Sequence, residues 1–179
     1  MKTPTDVLRD EHALILRGLD VLEAAARHAE DGRDPPDGWW ADVLAWFRLF
    51  ADRNHHGKEE TVLFPAMVKA GAPGGGGPID VMLEEHVEGR ALLRSMAENR
   101  STARARATRR YVRLLRDHID KEHGVVFPLA EAVLDEQAVD WVAREFTIVE
   151  TGDGSGTTCR DAEASLEGLR EALTAPAAR

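Results

Sequence analysis

Apolar residues recur every three to four positions through most of the chain, and this spacing is the period of an α-helix and not of a β-strand. Residues that favour helix are abundant, and strand signals are nearly absent. Clusters of glycine and proline at 32–38 and 71–78 interrupt the pattern. The sequence therefore predicts four long helices, at about 5–31, 39–70, 78–99 and 101–134, with Thr5 and Ser101 as N-caps.

The pattern weakens after residue 135. It indicates a short fifth helix at 137–149 and a last amphipathic helix at 161–173, separated by a flexible glycine-rich loop at 152–156. The extreme C-terminus is expected to fray. Because short connections join the four long helices, we predict an all-α fold. It consists of an up-down-up-down four-helix bundle at 1–135 and a C-terminal helical appendage at 136–179.

Each of the four long helices places one histidine on its apolar face. At about 100° per residue, the neighbours on the same side of the helix are apolar or aromatic, so these histidines should point into the bundle. The predicted groups are His12 with Leu8, Ile15, Leu16 and Leu19; His55 with Leu44, Ala51 and Val62; His86 with Ile79, Met82, Leu83 and Leu93; and His118 with Tyr111, Leu114 and Leu115.

A short cassette occurs twice, 63 positions apart, as His55-His-Gly-Lys-Glu59 and His118-Ile-Asp-Lys-Glu122. In both copies a Phe-Pro pair begins five residues after the glutamate. The glutamate stands four residues after the first histidine, so both side chains lie on one face of a helix. The prolines are expected to kink or break the helix just beyond each cassette.

An acidic–histidine pair precedes each cassette, on the helix before it. These pairs are Glu11-His12 and Glu85-His86. The chain thus reads as two copies of one helical hairpin. Each copy offers a lone histidine followed by a His-x-x-x-Glu motif.

Packing the two hairpins together would bury four imidazoles and two carboxylates. Burial of an unpaired carboxylate is costly, and burial of two that face each other is more so. Compensating cations are therefore expected. The predicted ligands of two transition-metal ions are His12, His55, Glu59, His86, His118 and Glu122.

Three further polar residues stand beside the predicted ligands. His56 and His123 each lie about 100° round the helix from one of them, at the edge of the inward face. Each could be an alternative ligand, a hydrogen-bond partner of a ligand or an exposed side chain, and we assign both as hydrogen-bond partners. Glu60 lies further round and is expected outside the site.

Ordinary readings of these motifs remain open. A single inward histidine, or one His-x-x-x-Glu pair, is more often a polar contact than a metal site. A structural bundle, whose inward polar residues serve fold specificity, is thus an alternative. The Glu-x-x-His motif of ferritin-like bundles and the His-Glu-x-x-His motif of zinc proteases are absent. Imidazole and carboxylate ligands without thiolate favour iron, manganese or zinc.

Composition limits the partners and the cellular location that can be expected for the protein. The 179-residue chain has a formal charge of −9, which disfavours nucleic acid or an anionic membrane as a partner. The arginine-rich stretch at 100–116 covers the face opposite His118 and is interpreted as solvated surface. No apolar run has the length of a membrane span, no signal peptide is recognisable, and Cys159 is the single cysteine. We therefore predict a cytoplasmic protein.

Taken together, the motifs at 5–135 resemble the H–HxxxE–H–HxxxE pattern of the hemerythrin-like (HHE domain) proteins, including the Phe-Pro endings. The resemblance implies a left-handed up-down bundle around a non-haem di-iron centre. Its terminal ligands would be the four histidines of the pattern, and Glu59 and Glu122 would bridge the ions. An oxo or hydroxo bridge would complete the pair. Manganese and zinc are the less expected metals.

The sequence departs from the oxygen-carrying hemerythrins in two ways. Those proteins have two histidines one turn apart on the third helix, whereas Met82 and Arg90 lie one turn from His86. They also place the second carboxylate five residues after its histidine, where this chain has His123. A missing protein ligand leaves a coordination position for water, O2, peroxide or NO.

The resemblance therefore favours a di-iron protein that binds or reacts with a small oxidant (O2, peroxide or NO) in sensing, detoxification or iron handling. Consumption of peroxide or NO would be its activity. A non-enzymatic metal-sensing module, with the C-terminal appendage as its reporter, is the alternative. The sequence identifies neither a redox partner nor a signalling partner.

Overall fold

A computed structural model describes residues 2–151 and 158–175, and this part of the chain is helical throughout, without a strand. The predicted loop at 152–156 and residues 176–179 lie outside the described residues. The six helices are α1 (Pro4–Glu30), α2 (39–69), α3 (Pro78–Glu98), α4 (101–133), α5 (Glu136–Thr151) and α6 (Cys159–Thr174). The predicted boundaries of the four long helices agree to within one residue, and α5 is longer than expected.

The start of α1 differs in detail from the prediction. Thr3, and not Thr5, is the N-cap: its side chain accepts a hydrogen bond from the Asp6 backbone N–H, and its own backbone N–H donates one to the Asp6 carboxylate. Pro4 suits the first helical position because its missing N–H needs no partner there. Thr5 is buried and donates a hydrogen bond to the Glu131 carboxylate over 2.8 Å.

Helices α2 and α4 change their hydrogen-bond register at the cassettes. In α2 the α-helical stretch Trp39–Trp46 is followed by π-helical stretches at Phe47–His56 and Glu59–Leu63, and then by α-helix at Phe64–Lys69. In α4 the corresponding segments are Ser101–Lys121, π-helical Glu122–Val126 and Phe127–Val133. The duplicated sequence thus folds with a duplicated π-turn, which begins at each cassette glutamate.

The cassette prolines do not break their helices. The N–H of Phe64 donates to the carbonyl of Glu59, five residues earlier, and the N–H of Phe127 donates to Glu122 in the same way. Pro65 and Pro128 then occupy the second position of a new α-helical segment, where an N–H has no obligatory partner. The wider turn therefore accommodates the residue that an uninterrupted α-helix would exclude.

The helices α1 and α3 each pack against both α2 and α4. Along each of these four helices, the buried polar residues separate two apolar clusters. The larger cluster includes Leu19, Phe47 and Tyr111, and the smaller one includes Leu8 and Phe127. Among the apolar residues that were predicted to share an inward face with the histidines, Leu83 is the exposed one, at 36%.

The two C-terminal helices complete both clusters. Helix α6 packs on α1 and the first part of α2, and the indoles of Trp39 and Trp46 donate hydrogen bonds to its carbonyls at Leu169 and Ala162, both over 2.8 Å. Helix α5 packs on α1 and the second π-helical stretch of α2, and adds Phe146 to the smaller cluster. Among the described helices, none is long and apolar enough to cross a membrane.

Candidate metal centre

The six predicted ligands meet at one buried point between the two apolar clusters. Each of them is at most 1% exposed. Helix α1 contributes one histidine, α3 contributes one, and α2 and α4 each contribute a histidine and a glutamate. The convergence follows from the helical spacing, which puts these residues on the inward face at the same level of the bundle.

Each carboxylate lies between one histidine of the first hairpin and one of the second. For Glu59, Oε1 is 3.6 Å from His55 Nε2, and Oε2 is 3.5 Å from His86 Nε2. For Glu122, Oε2 is 3.0 Å from His12 Nε2, and Oε1 is 3.2 Å from His118 Nε2. Each carboxylate therefore lies between histidines of two different hairpins.

The ligand atoms form two groups, within each of which all atoms lie within 4.8 Å of one another. We call them the first compartment (His12, His55, Glu59 and Glu122) and the second compartment (His56, Glu59, His86 and His118). Glu59 belongs to both. In the second compartment the Nε2 atoms of His86 and His118 are 3.1 Å apart, which is about the separation of two nitrogen ligands bound at about 2.1 Å and at right angles to one ion.

Outer hydrogen bonds hold the four histidines of the predicted set by their Nδ1 atoms. A histidine that donates Nδ1–H to a carboxylate keeps its lone pair on Nε2, which is the form that binds a metal. All four Nε2 atoms therefore point towards the centre. The pairs are His12 with His123 Nε2 (2.8 Å), His55 with Glu11 (2.9 Å), His86 with Glu60 (2.7 Å) and His118 with Glu85 (2.9 Å).

The three polar residues next to the predicted ligands differ in their burial and in their contacts. His56 is buried and stacks on His86 with ring centroids 3.9 Å apart, and its ligand atom belongs to the second compartment. His123 is exposed and is the hydrogen-bond partner of His12. The expectation that Glu60 lies outside was wrong, because α2 is π-helical here and each residue turns by less than the assumed 100°.

Sequence reasoning did not identify the outer carboxylates Glu11 and Glu85. Their signal was present, since each precedes a predicted ligand in an acidic–histidine pair. Each glutamate, however, contacts the histidine of the next helix and not its own neighbour. Contacts between helices depend on the packing angle and distance, which a helical wheel does not contain.

The buried polar atoms at the centre fit a pair of cations. Unsatisfied buried carboxylates are costly, and metal coordination supplies the partner that they lack. Apart from Asn54 Oδ1, the buried side-chain atoms of the described chain without a hydrogen bond all belong to the two compartments. They are His12 Nε2, His55 Nε2, His56 Nδ1, and both carboxylate oxygens of Glu59 and of Glu122.

In the metal-free protein, bound protons balance part of the negative charge of the buried carboxylates. Burial alone would lower the pKa of His118, but the charge of Glu122 and the hydrogen bond to Glu85 raise it to about 10. Burial and the neighbouring His55 lower the pKa of His12 to about 4. Burial and the charge of Glu122 raise the pKa of the Glu59 carboxyl. At pH 7 these shifts make His12 neutral and His118 protonated, and nearby carboxylates also raise the pKa values of His55 and His86.

Metal binding at pH 7 is expected to release protons. Because the pKa of His118 in the metal-free protein is about 10, its imidazole carries a proton that a metal ion must displace. We expect release of about one proton from His118, and metal affinity that rises as pH rises from 5 to 8. Calorimetric titration with Zn²⁺ in buffers of different ionisation enthalpy measures the release, and a heat that is independent of the buffer would contradict it.

Comparison with known proteins agrees with this geometry. The family model described as the hemerythrin HHE cation binding domain matches residues 3–130. This range contains all six predicted ligands, together with His56 and His123. No curated protein and no solved structure matched the chain. A match over most of the chain shows the family: this chain belongs to the hemerythrin HHE cation-binding domain family.

Proposed function

We propose that this chain is a non-haem di-iron protein that binds or reacts with a small oxidant, namely O2, peroxide or NO. The observation that carries the proposal is the pair of buried compartments that share Glu59. A bundle whose inward polar residues served packing alone would satisfy their hydrogen bonds within the protein, whereas these carboxylates have no donor.

We assign the first ion to His12, His55, Glu59 and Glu122, and the second to His56, His86, His118 and the same two glutamates. His56 thereby joins the ligands instead of standing outside them, because its ligand atom is grouped with those of His86 and His118. Iron in an imidazole and carboxylate environment takes up to six ligands. Four protein ligands on one side and five on the other leave open positions, which distinguish reactive sites from closed ones. Manganese and zinc would accept the same donors.

Within this proposal, the protein residues bind, orient and exclude water. The residues of the two compartments would hold a pair of ferrous ions, which when bound would supply the electrons for reduction of a small oxidant. Glu59 and Glu122 hold the two positions together, and Glu11, Glu60 and Glu85 keep the Nε2 atoms of their histidines directed inward. The apolar clusters above and below limit the entry of water.

The same proposal includes the arrangement and setting of the protein. Helices α1–α4 form an up-down-up-down bundle at 1–135, and 136–179 is an appendage to it. The protein works in the cytoplasm without nucleic acid or membrane partners, in keeping with its charge of −9. Cys159 is exposed, but partial desolvation and nearby acidic groups raise the pKa of its thiol to about 11, so this thiol stays protonated and is a poor nucleophile.

Metal analysis with ultraviolet–visible spectra tests the proposal. We expect about two iron ions per chain after anaerobic reconstitution with Fe²⁺, and a new absorption band when hydrogen peroxide is added. Repeated turnover of peroxide or NO would indicate an enzyme, and a single-equivalent reaction would indicate a sensor. The zinc-loaded chain is the control, because Zn²⁺ fills such ligands without redox chemistry. A reconstituted chain that retains no iron would rule the proposal out.

A further inference from the structure

Each hairpin contains the same set of three side chains, in which a glutamate joins a lysine to a predicted metal-binding histidine. We call this set a relay. In the first relay Glu11 Oε2 is 2.9 Å from His55 Nδ1, and in the second Glu85 Oε2 is 2.9 Å from His118 Nδ1. In both, the lysine that precedes the cassette glutamate donates to the other carboxylate oxygen, Oε1. These lysines are Lys58 and Lys121. The relay is thus part of the duplication.

The two copies differ in their burial. Lys58 and Glu11 are both 0% exposed, whereas Lys121 is 42% exposed. The ammonium of Lys58 has a second partner, because it donates to Glu150 Oε1 of α5 over 2.6 Å, and it lies 5.8 Å from the centre of the Phe146 ring. In the described part of the chain, the contact found for the Lys121 ammonium is to Glu85 alone.

Helix α5 contacts the lysine of the first relay through Glu150 and Phe146. A charged lysine is rarely buried without a paired carboxylate and full hydrogen bonding. Glu11 supplies one carboxylate from α1, and Glu150 supplies the other from α5. If α5 left this surface, Lys58 would lose one of its two anionic partners, and water would reach the carboxylate that orients His55. The docking of α5 is therefore linked to the orientation of His55 through Lys58 and Glu11.

We propose that α5 is a positioning element for the metal centre: Glu150, acting through Lys58 and Glu11, holds His55 in place, so that α5 docking and metal binding in the first compartment are coupled. This inference rests on the proposed function. Coupling between two binding events is reciprocal. Occupation of the first compartment therefore strengthens the docking of α5, and release of α5 weakens metal binding there, while the second relay does not reach α5.

Stepwise Fe²⁺ affinities of the full-length chain, measured anaerobically on metal-free protein, test the coupling. Loss of an outer partner of a metal ligand lowers metal affinity by about 10- to 100-fold. Because Glu150 acts through two residues, we expect Glu150→Gln to weaken one of the two affinities by about 10-fold and to leave the other within about twofold. Glu136→Gln makes the same charge change at the exposed start of α5 and is expected to change neither affinity.

A double-mutant cycle separates positioning from a general structural effect. In a Glu11→Gln background the relay is already broken, so Glu150→Gln is expected to have no further effect on Fe²⁺ affinity. Additive losses would mean that Glu150 acts by some other route. The Glu150 side chain is 29% exposed, so its variant is expected to fold even if Lys58→Met does not.

Hydrogen exchange of the α5 amides provides the reciprocal measurement. Fe²⁺ is expected to slow exchange at 142–151 in the original chain, and to slow it much less in Lys58→Met. Exchange in α5 that does not respond to Fe²⁺, or affinities unchanged by Glu150→Gln, would overturn the inference while the di-iron proposal stands. A chain that binds no Fe²⁺ at all would overturn both.

Discussion

Replacement of Glu59 by glutamine is expected to remove both ions from the centre. Glu59 is the residue whose ligand atoms belong to both compartments, and its two oxygens face His55 and His86. Glutamine keeps the shape of the side chain but removes its negative charge and turns one ligand oxygen into an NH2 group. Outer partners of metal ligands typically contribute 10- to 100-fold in affinity, so a directly shared ligand should contribute more than about 100-fold to each ion.

Metal content after dialysis against a weak chelator measures this effect. Glu84→Gln is a matched control, because Glu84 is an exposed glutamate of α3 and its loss should leave two ions per chain. A Glu59→Gln protein that still held one ion at its original affinity would show that Glu59 serves a single ion. In that case Glu122 would be the only carboxylate between the two positions.

Removal of the metal is expected to lower the melting temperature by roughly 15–30 °C. A ligand present at about 1,000 times its dissociation constant stabilises the folded state by about 4 kcal/mol, so two ions contribute about 8 kcal/mol. Each kcal/mol shifts the melting temperature of a domain of this size by about 2–4 °C. The reason for the dependence is that the metal-free core contains the buried carboxylates Glu59 and Glu122 without hydrogen-bond donors.

The Glu59→Leu variant separates metal stabilisation from packing. Replacement of a buried ion pair by apolar residues of similar volume is often neutral or stabilising, by about 1–4 kcal/mol. Glu59→Leu resembles that case, because the Glu59 oxygens have no hydrogen-bond donor to lose. We therefore expect the metal-free variant to melt at or above the temperature of the metal-free original chain, and to gain nothing from Fe²⁺ or Zn²⁺. Calorimetric melting with and without chelator measures both effects. A metal-free variant that melts far below the original would mean that Glu59 supports the core directly.

These two expectations share one physical cause. Glu59, Glu122 and the inward histidines lie in one layer of the bundle. Their buried polar atoms lower the stability of that layer as a protein core, but the same atoms are suitable metal ligands. Stability is lost where binding is gained, which is common at functional sites. The apolar clusters on both sides of this layer supply the stability that the centre does not.

The helix boundaries and the inward-facing residues could be predicted from the sequence, because both depend on local geometry. The helical period identified all four long helices to within one residue, and the i to i+4 spacing predicted that His55 with Glu59 and His118 with Glu122 would face the core. These inferences succeed because helix formation and the direction of side chains depend on residues close together in the chain. The duplicated cassette also predicts two ions, since two copies of one motif would form two halves of one site, and this number stays a prediction.

Other features depend on distances between helices and on backbone hydrogen-bond register, which no sequence period contains. The π-turn that begins at Glu59 contains Glu60, which contacts His86. Packing also joined Glu11 to His55 across two helices. Glu150 of α5 likewise reaches Lys58, 92 residues away in the chain, where apolar burial of α5 brings the two together. The sequence alone thus determined that the six predicted side chains enter the centre. The tertiary structure added His56 to them and decided what holds them there, because only close packing between helices determines which residues of different helices meet.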